Sequence, residues 1–304
     1  MRKLTKLLVI IVIAMLVNAW FVSRQVREAT TFGGGRVVSI TGPDVNVREY
    51  GPDSAEGAIV LLHGFASSIE WWGDVAPKLA EQTGRKVIAI DLVGHGGSES
   101  PLDSDAYGLQ GQSLAVTRAL AALKANHVVL VGHSMGGAVA TSVAQREPDL
   151  VDRIVVIDSP GGPGLFTHTK LQDAACWPIV GPAVDRLRAV DALTKSSLQT
   201  AFASNYEVPQ FAYRSLKPMI QRGVCASTAV TEMNAKRPMA LQLAQLGKPV
   251  KVIWGGLDTR TPTAANVAVY RNAGLTPEII QNAGHSAPVE APEDVVRIIV
   301  DFVK

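Results

Sequence analysis

The chain is short of charge, of cysteine and of any repeated or low-complexity stretch. Charged residues make up 18% of its 304 residues and cancel to a formal +2. No Lys/Arg-rich run or aromatic ladder follows the first few residues, which excludes a nucleic-acid-binding face. The two cysteines, Cys176 and Cys225, do not have the spacing of a metal site. Nothing in the composition suggests disorder. What remains is 47% hydrophobic, enough at this length to bury a large core, so one large α/β domain carrying an insertion is expected.

Only one long apolar run is present, from Leu7 to Val22, broken by Asn18 and preceded by Arg2, Lys3 and Lys6. It has no polar face, so it does not read as an amphipathic helix of the folded domain. It falls just short of the ~17–25 residues of a spanning helix, which leaves two readings: a signal peptide cleaved near Val17-Asn18-Ala19, or a retained signal anchor. The anchor is preferred because Trp20-Phe21-Val22 carries the apolar run past that site and places an aromatic residue where interfacial anchors lie. Either way the basic leader stays inside and the remainder is exported. Residues 1–24 are therefore read as signal anchor or signal peptide, and residues 25–35, ending in Gly33-Gly34-Gly35, as a tether.

From Arg36 onward the pattern alternates. Residues 36–40 and 45–50 read as an antiparallel pair around a Gly42-Pro43-Asp44 turn. The runs at 58–62, 86–90, 128–131, 153–157, 249–254 and 277–280 read as buried strands, with helical spacing at 109–124 and after Ser134. Strands and helices in this order predict a mostly parallel sheet with helices on both faces, and such sheets place ligands beyond the carboxyl ends of their strands.

Gly132-His133-Ser134-Met135-Gly136 fits Gly-x-Ser-x-Gly at one such end. A serine on so tight a strand-to-helix turn is strained, and flanking glycines let strand and helix pass close to it. The strand ending in His63-Gly64-Phe65 supplies a backbone N–H that, with the Met135 N–H, makes a two-donor oxyanion hole. His63 and His133 read as structural histidines, Trp71 and Trp72 as core or pocket wall, and Asp91 and His95 as turn residues of a glycine-rich loop.

Taken together, His63-Gly64-Phe65, the loop from Asp91 to Ser98, Gly132 to Gly137, Gly255-Gly256-Leu257-Asp258 and Gly284-His285 resemble the α/β-hydrolase superfamily over nearly all of the chain except the leader. The resemblance implies Ser134 as nucleophile, Asp258 as acid and His285 as base, in the family's order. The residues agree: Asp258 follows an apolar strand and two glycines, and His285 lies on a loop after the last strand. Asp158, at the end of its own strand, is the rival acid.

Between residues 161 and 237 the parallel pattern stops, and prolines punctuate helical stretches at 183–192 and 196–203. This segment resembles the helical cap of the family, leaving 36–160 and 238–304 as the core. Both cysteines fall in the cap, where an exported protein favours a disulfide over two buried thiols. The expected function is hydrolysis of a small-molecule carboxylic ester, with an apolar substrate, no metal and no organic cofactor. Carbon–carbon bond hydrolases, perhydrolases, acyltransferases and aminopeptidases of the same fold stand as alternatives, and a non-catalytic scaffold is the remaining one.

Overall fold

The computed structural model describes residues 2–54, 56–166, 170–233 and 237–304. Eight strands form one sheet: β1 (Arg36–Val38), β2 (Val45–Tyr50), β3 (Ile59–Leu62), β4 (Val87–Ile90), β5 (Val128–His133), β6 (Val151–Ile157), β7 (Val250–Gly255) and β8 (Pro277–Ile280). Their order is β1-β2-β4-β3-β5-β6-β7-β8. Only β1–β2 and β2–β4 run antiparallel, and the other pairs are parallel.

The continuous apolar runs follow from burial on both faces. Val60, Leu62, Ile88, Leu130 and Val156 point into one core, and Ile59, Leu61, Val87, Val131 and Ile157 into the other. Successive strand residues face opposite ways, so a strand covered on both sides needs an apolar residue at every position.

Thirteen helices are described: α1 (Arg2–Ser23), α2 (Ala76–Thr83), α3 (Leu109–Ala122), α4 (Met135–Arg146), α5 (Lys170–Ala175), α6 (Gly181–Asp185), α7 (Asp191–Gln199), α8 (Gln210–Leu216), α9 (Gln221–Met233), α10 (Met239–Ala244), α11 (Thr263–Asn272), α12 (Ala287–Glu290) and α13 (Pro292–Val303). On α13, Val295, Val296, Ile299, Val300 and Val303 are buried while Glu293, Asp294 and Asp301 face water. That spacing is one apolar helical face, each such side chain contributing roughly 1.5–3 kcal/mol on burial.

Helices α5 to α9 lie between β6 and β7 in the chain, the region expected as the cap. Residues 167–169 and 234–236 of that region lie outside the described residues. The helix expected over 183–192 is not continuous. α6 ends at Asp185, a 3-10 turn spans Arg186–Ala189, and Val190 is extended before α7 begins. The bend is held by Arg188, whose guanidinium donates to both Asp185 carboxylate oxygens at 2.7 Å and to the carbonyls of Leu216 and Met219. The second cap helix, expected over 196–203, likewise starts earlier and stops at Gln199. Cys176 and Cys225 are joined as a disulfide with 5.5 Å between their Cα atoms, tying the turn after α5 to α9.

The N-terminal segment differs from expectation in two ways. Helix α1 is longer than the apolar run, and its stretch Lys3–Ser23 is long and apolar enough to cross a membrane, with a mean hydropathy of 2.3. Residues 25–35 are not a loose tether. Arg27 and Ser100 pair as a backbone bridge, Thr30 N–H donates to the Gly97 carbonyl at 2.8 Å, and the Arg27 guanidinium donates to the carbonyls of Gly96 and Ser98. This strap satisfies carbonyls of a buried glycine loop that would otherwise lack partners.

Candidate active site

Ser134 sits between β5 and α4 with φ +51°, a left-handed conformation rare for a residue with a side chain. The turn closes only because its flanks lack Cβ atoms. A Cβ on Gly132 would overlap the Gly136 carbonyl, and one on Gly136 would overlap the carbonyl of Leu62. The Ser134 N–H donates to the Ile157 carbonyl at 2.8 Å, which locks the elbow to β6.

The structure brings together three of the residues expected from the sequence. The Ser134 hydroxyl lies 2.9 Å from His285 Nε2, and His285 Nδ1 lies 2.8 Å from Asp258 Oδ2. All three side chains are buried. Burial by itself would push the Asp258 carboxyl up. The neighbouring His285, with hydrogen bonds from His285 and from Thr261, outweighs it and holds the group below the usual carboxylate range. The Arg260 and Thr261 N–H groups donate to Oδ1 at 2.8 and 2.9 Å, and the Thr261 hydroxyl donates to Oδ2.

Asp158 is not part of this chain of contacts. Its Oδ1 accepts the Gly255 N–H at 2.6 Å, which pins the end of β7. Burial, reinforced by the charge of Asp258, pushes its carboxyl well above the usual range. The loop pair Asp91 and His95 is structural too. Asp91 accepts N–H groups from Ile69 and Gly97 and the Asn46 amide, and burial pushes it up to about 6. His95 donates to the Val93 carbonyl, and burial lowers it to about 4.

His63 and His133 are neutral positioning groups. His63 Nδ1 bonds the Gly64 carbonyl at 2.7 Å while Nε2 accepts the Leu92 N–H at 3.0 Å, an arrangement that requires one fixed tautomer. His133 Nε2 donates to the His285 carbonyl at 2.6 Å, and burial lowers its pKa to about 3. The residue beside the serine thus holds the backbone of the histidine loop.

Two polar residues with no role in the sequence reading complete the site. Thr261 braces Asp258, and its only signal was an Asp-x-x-Thr turn. Glu290 accepts the N–H groups of Ala203 and Gly284 on one oxygen, at 2.8 and 3.0 Å, and that of Ser286 on the other at 3.1 Å. It therefore clamps both neighbours of His285 and ties them to the cap. Burial pushes its carboxyl up against the lowering effect of these donors. Glu290→Gln replaces one acceptor oxygen with an NH₂ facing N–H donors. The loss of one or two charge-assisted hydrogen bonds, about 1.5–3 kcal/mol each, is expected to lower Tm by roughly 4–10 °C in calorimetry. Faster amide exchange at Gly284 and Ser286 is expected alongside it.

Above Ser134 and His285 lies a cavity with about 980 Å³ of empty space, open solvent at its mouth included. Trp71, Phe166, Leu198, Leu216 and Val224 make most of its wall apolar, while Trp72 is buried in the core. Arg260, whose guanidinium lies 4.9 Å from the Phe166 ring centroid, is one of the polar residues that line it, with Asp185, Arg188 and Thr194. Phe65 lines the cavity beside the serine. Among the described residues no acceptor meets the Phe65 N–H, and Met135 opens α4, where a first-turn N–H has no intrahelical acceptor.

The sequence model for the alpha/beta hydrolase fold matches residues 57–205. The sn-1-specific diacylglycerol lipase ABHD11 of Mus musculus is 40% identical over 259 residues, covering 83% of this chain and 82% of that protein. The chain belongs to the alpha/beta hydrolase family. The hydrolase also shares its fold with solved structures at lower identity. The enol-lactonase from Burkholderia xenovorans LB400 superposes with a TM-score of 0.73 at 20% identity, over 88% of the hydrolase and 99% of that chain. An esterase from Exiguobacterium antarcticum gives 0.71 at 19% identity over the same shares.

Proposed function

We propose that this hydrolase cleaves a carboxylic ester with an apolar acyl group through an acyl-enzyme on Ser134, and that α1 holds it at a membrane with the catalytic domain on the exported side. The observation that carries the reading is the unbroken hydrogen-bonded chain from the Ser134 hydroxyl through His285 to Asp258, at the floor of an apolar cavity.

His285 Nε2 takes the hydroxyl proton as Ser134 Oγ attacks the ester carbonyl. Asp258, accepting from Nδ1, fixes the tautomer and stabilises the imidazolium. The oxyanion is held by the Phe65 and Met135 N–H groups, fixed dipoles in a site from which the cap excludes water. On collapse, the alkoxide leaves with the proton from His285. A water then repeats the sequence against the acyl-enzyme and releases the acid.

The apolar wall favours a long acyl chain, and the diacylglycerol lipase relative supports a glycerolipid ester as the substrate class. The test is a panel of p-nitrophenyl esters of increasing chain length with a diacylglycerol, an amide and a carbon–carbon hydrolase substrate. Turnover of esters, rising with acyl length, together with fluorophosphonate attachment at Ser134 is the expected result. Turnover of only the carbon–carbon substrate or only the amide would replace the ester reading.

A further inference from the structure

We infer that the cap carries a second membrane-contacting surface, formed by residues 177–180 and Val190, and that the cavity opens beside it, so that substrate enters from the bilayer. The inference rests on the reading of α1 as a retained membrane helix.

The cap is seated on the end of that helix. α6 and α9 both contact α1, the Arg186 guanidinium donates to Asn18 Oδ1 at 2.5 Å, and Arg222 donates to the carbonyls of Ser23 and Gln25. Asn18 precedes the last residue of α1 by five positions, about 8 Å along the axis at 1.5 Å per residue. A cap that reaches Asn18 therefore overlaps the final part of the span, at the depth of roughly 5–10 Å to which interfacial apolar segments bury.

Beside those arginines the cap presents exposed apolar side chains. Trp177, Ile179 and Val180, in the loop that leads directly into α6, are 58%, 43% and 40% exposed, and Val190 is 46% exposed. No charged residue interrupts 177–180. Ile179 has φ +67°, a left-handed conformation that is an outlier for a β-branched residue. Its side chain nevertheless points outward, so the strained backbone serves no core contact. The loop is fixed at one end by the Cys176 bridge and at the other by Pro182 in the first turn of α6.

The cavity mouth is on the same elements. Leu187 and Leu193 both line the cavity and remain 40% and 42% exposed, which marks them as its rim. They flank Val190 in the chain. An apolar rim beside an apolar surface spares an acyl chain from crossing water on its way to Ser134. The occupant of this surface is lipid.

The experiment uses the full chain reconstituted in nanodiscs of brominated phospholipid. Trp71, Trp72 and Trp254 are buried, so Trp20→Phe leaves Trp177 as the exposed reporter, and Trp177→Phe leaves Trp20. Lipid quenching of W20F that disappears in the W20F/W177F double variant is the expected result. Quenching in W177F with none in W20F would overturn the cap surface and leave the anchor standing, and none in either would overturn the anchor as well. In the same nanodiscs, I179D/V180D is expected to lower turnover of a bilayer-held diacylglycerol about tenfold, equivalent to 1.4 kcal/mol, while leaving a short water-soluble ester unchanged. Asp tolerates the left-handed backbone better than Ile. An equal loss on both substrates would show that the loop acts on the fold instead.

Discussion

Ser134→Ala is expected to lower ester turnover by about 10⁶-fold, the scale seen when a triad serine or histidine is removed, with Tm within about 2 °C of the wild type. The reason is chemical and local. The hydroxyl is the atom proposed to form the acyl bond, and among the described residues its only side-chain partner is His285 Nε2 at 2.9 Å. The backbone that makes the elbow is untouched, since the Ser134 N–H still donates to Ile157 and the Gly137 N–H to the Ser134 carbonyl. Ala at φ +51° carries the same Cβ as Ser, so no new strain arises. Stopped assays on a p-nitrophenyl ester and fluorophosphonate labelling measure the two halves of the claim. A variant that retains labelling would move the nucleophile elsewhere.

Asp258→Asn is expected to cost about 10⁴-fold in kcat. The carboxylate accepts from His285 Nδ1, the Thr261 hydroxyl and two N–H groups. An amide offers one acceptor oxygen to those four donors. If its NH₂ group faces Nδ1, it favours the tautomer with the proton on Nε2, which cannot accept the Ser134 proton. Asp158→Asn is the control. Its Oδ1 accepts the Gly255 N–H and makes no bond to His285, and the amide oxygen of Asn can keep that acceptor role, so kcat is expected to stay within about threefold. The opposite ranking of the two variants would place the acid on the earlier strand.

The strands were legible because burial on both faces demands apolar residues at successive positions, and the loops because glycines stand where backbones touch. Ser134, Asp258 and His285 could be found for the same reason: each follows a strand that could be read. The bends of the cap could not. Val190 is an ordinary β-branched residue, and the break before α7 depends on Arg188 reaching two carbonyls some thirty residues ahead. Residues 25–35 looked like a tether because three glycines close them, whereas their order comes from Arg27 meeting a loop about seventy residues away. Glu290 had only the local hint of Ser286 four residues earlier, at the start of a short helix. Contacts of that range leave no periodicity to detect.

The bonds that join the cap to the histidine loop carry a consequence for how such enzymes diversify. Glu290 accepts the Ala203 N–H from the cap with the same oxygen that accepts the Gly284 N–H, and the Ser286 hydroxyl donates to the Ala201 carbonyl at 2.7 Å. A cap grafted from another protein would have to reproduce the backbone at 201–203, or leave the loop that carries His285 without two of its restraints. The insertion is therefore not a free module to be shuffled for new specificity. Its pocket-lining side chains can drift, while its junction with residues 284–290 has to be inherited as a unit with the core.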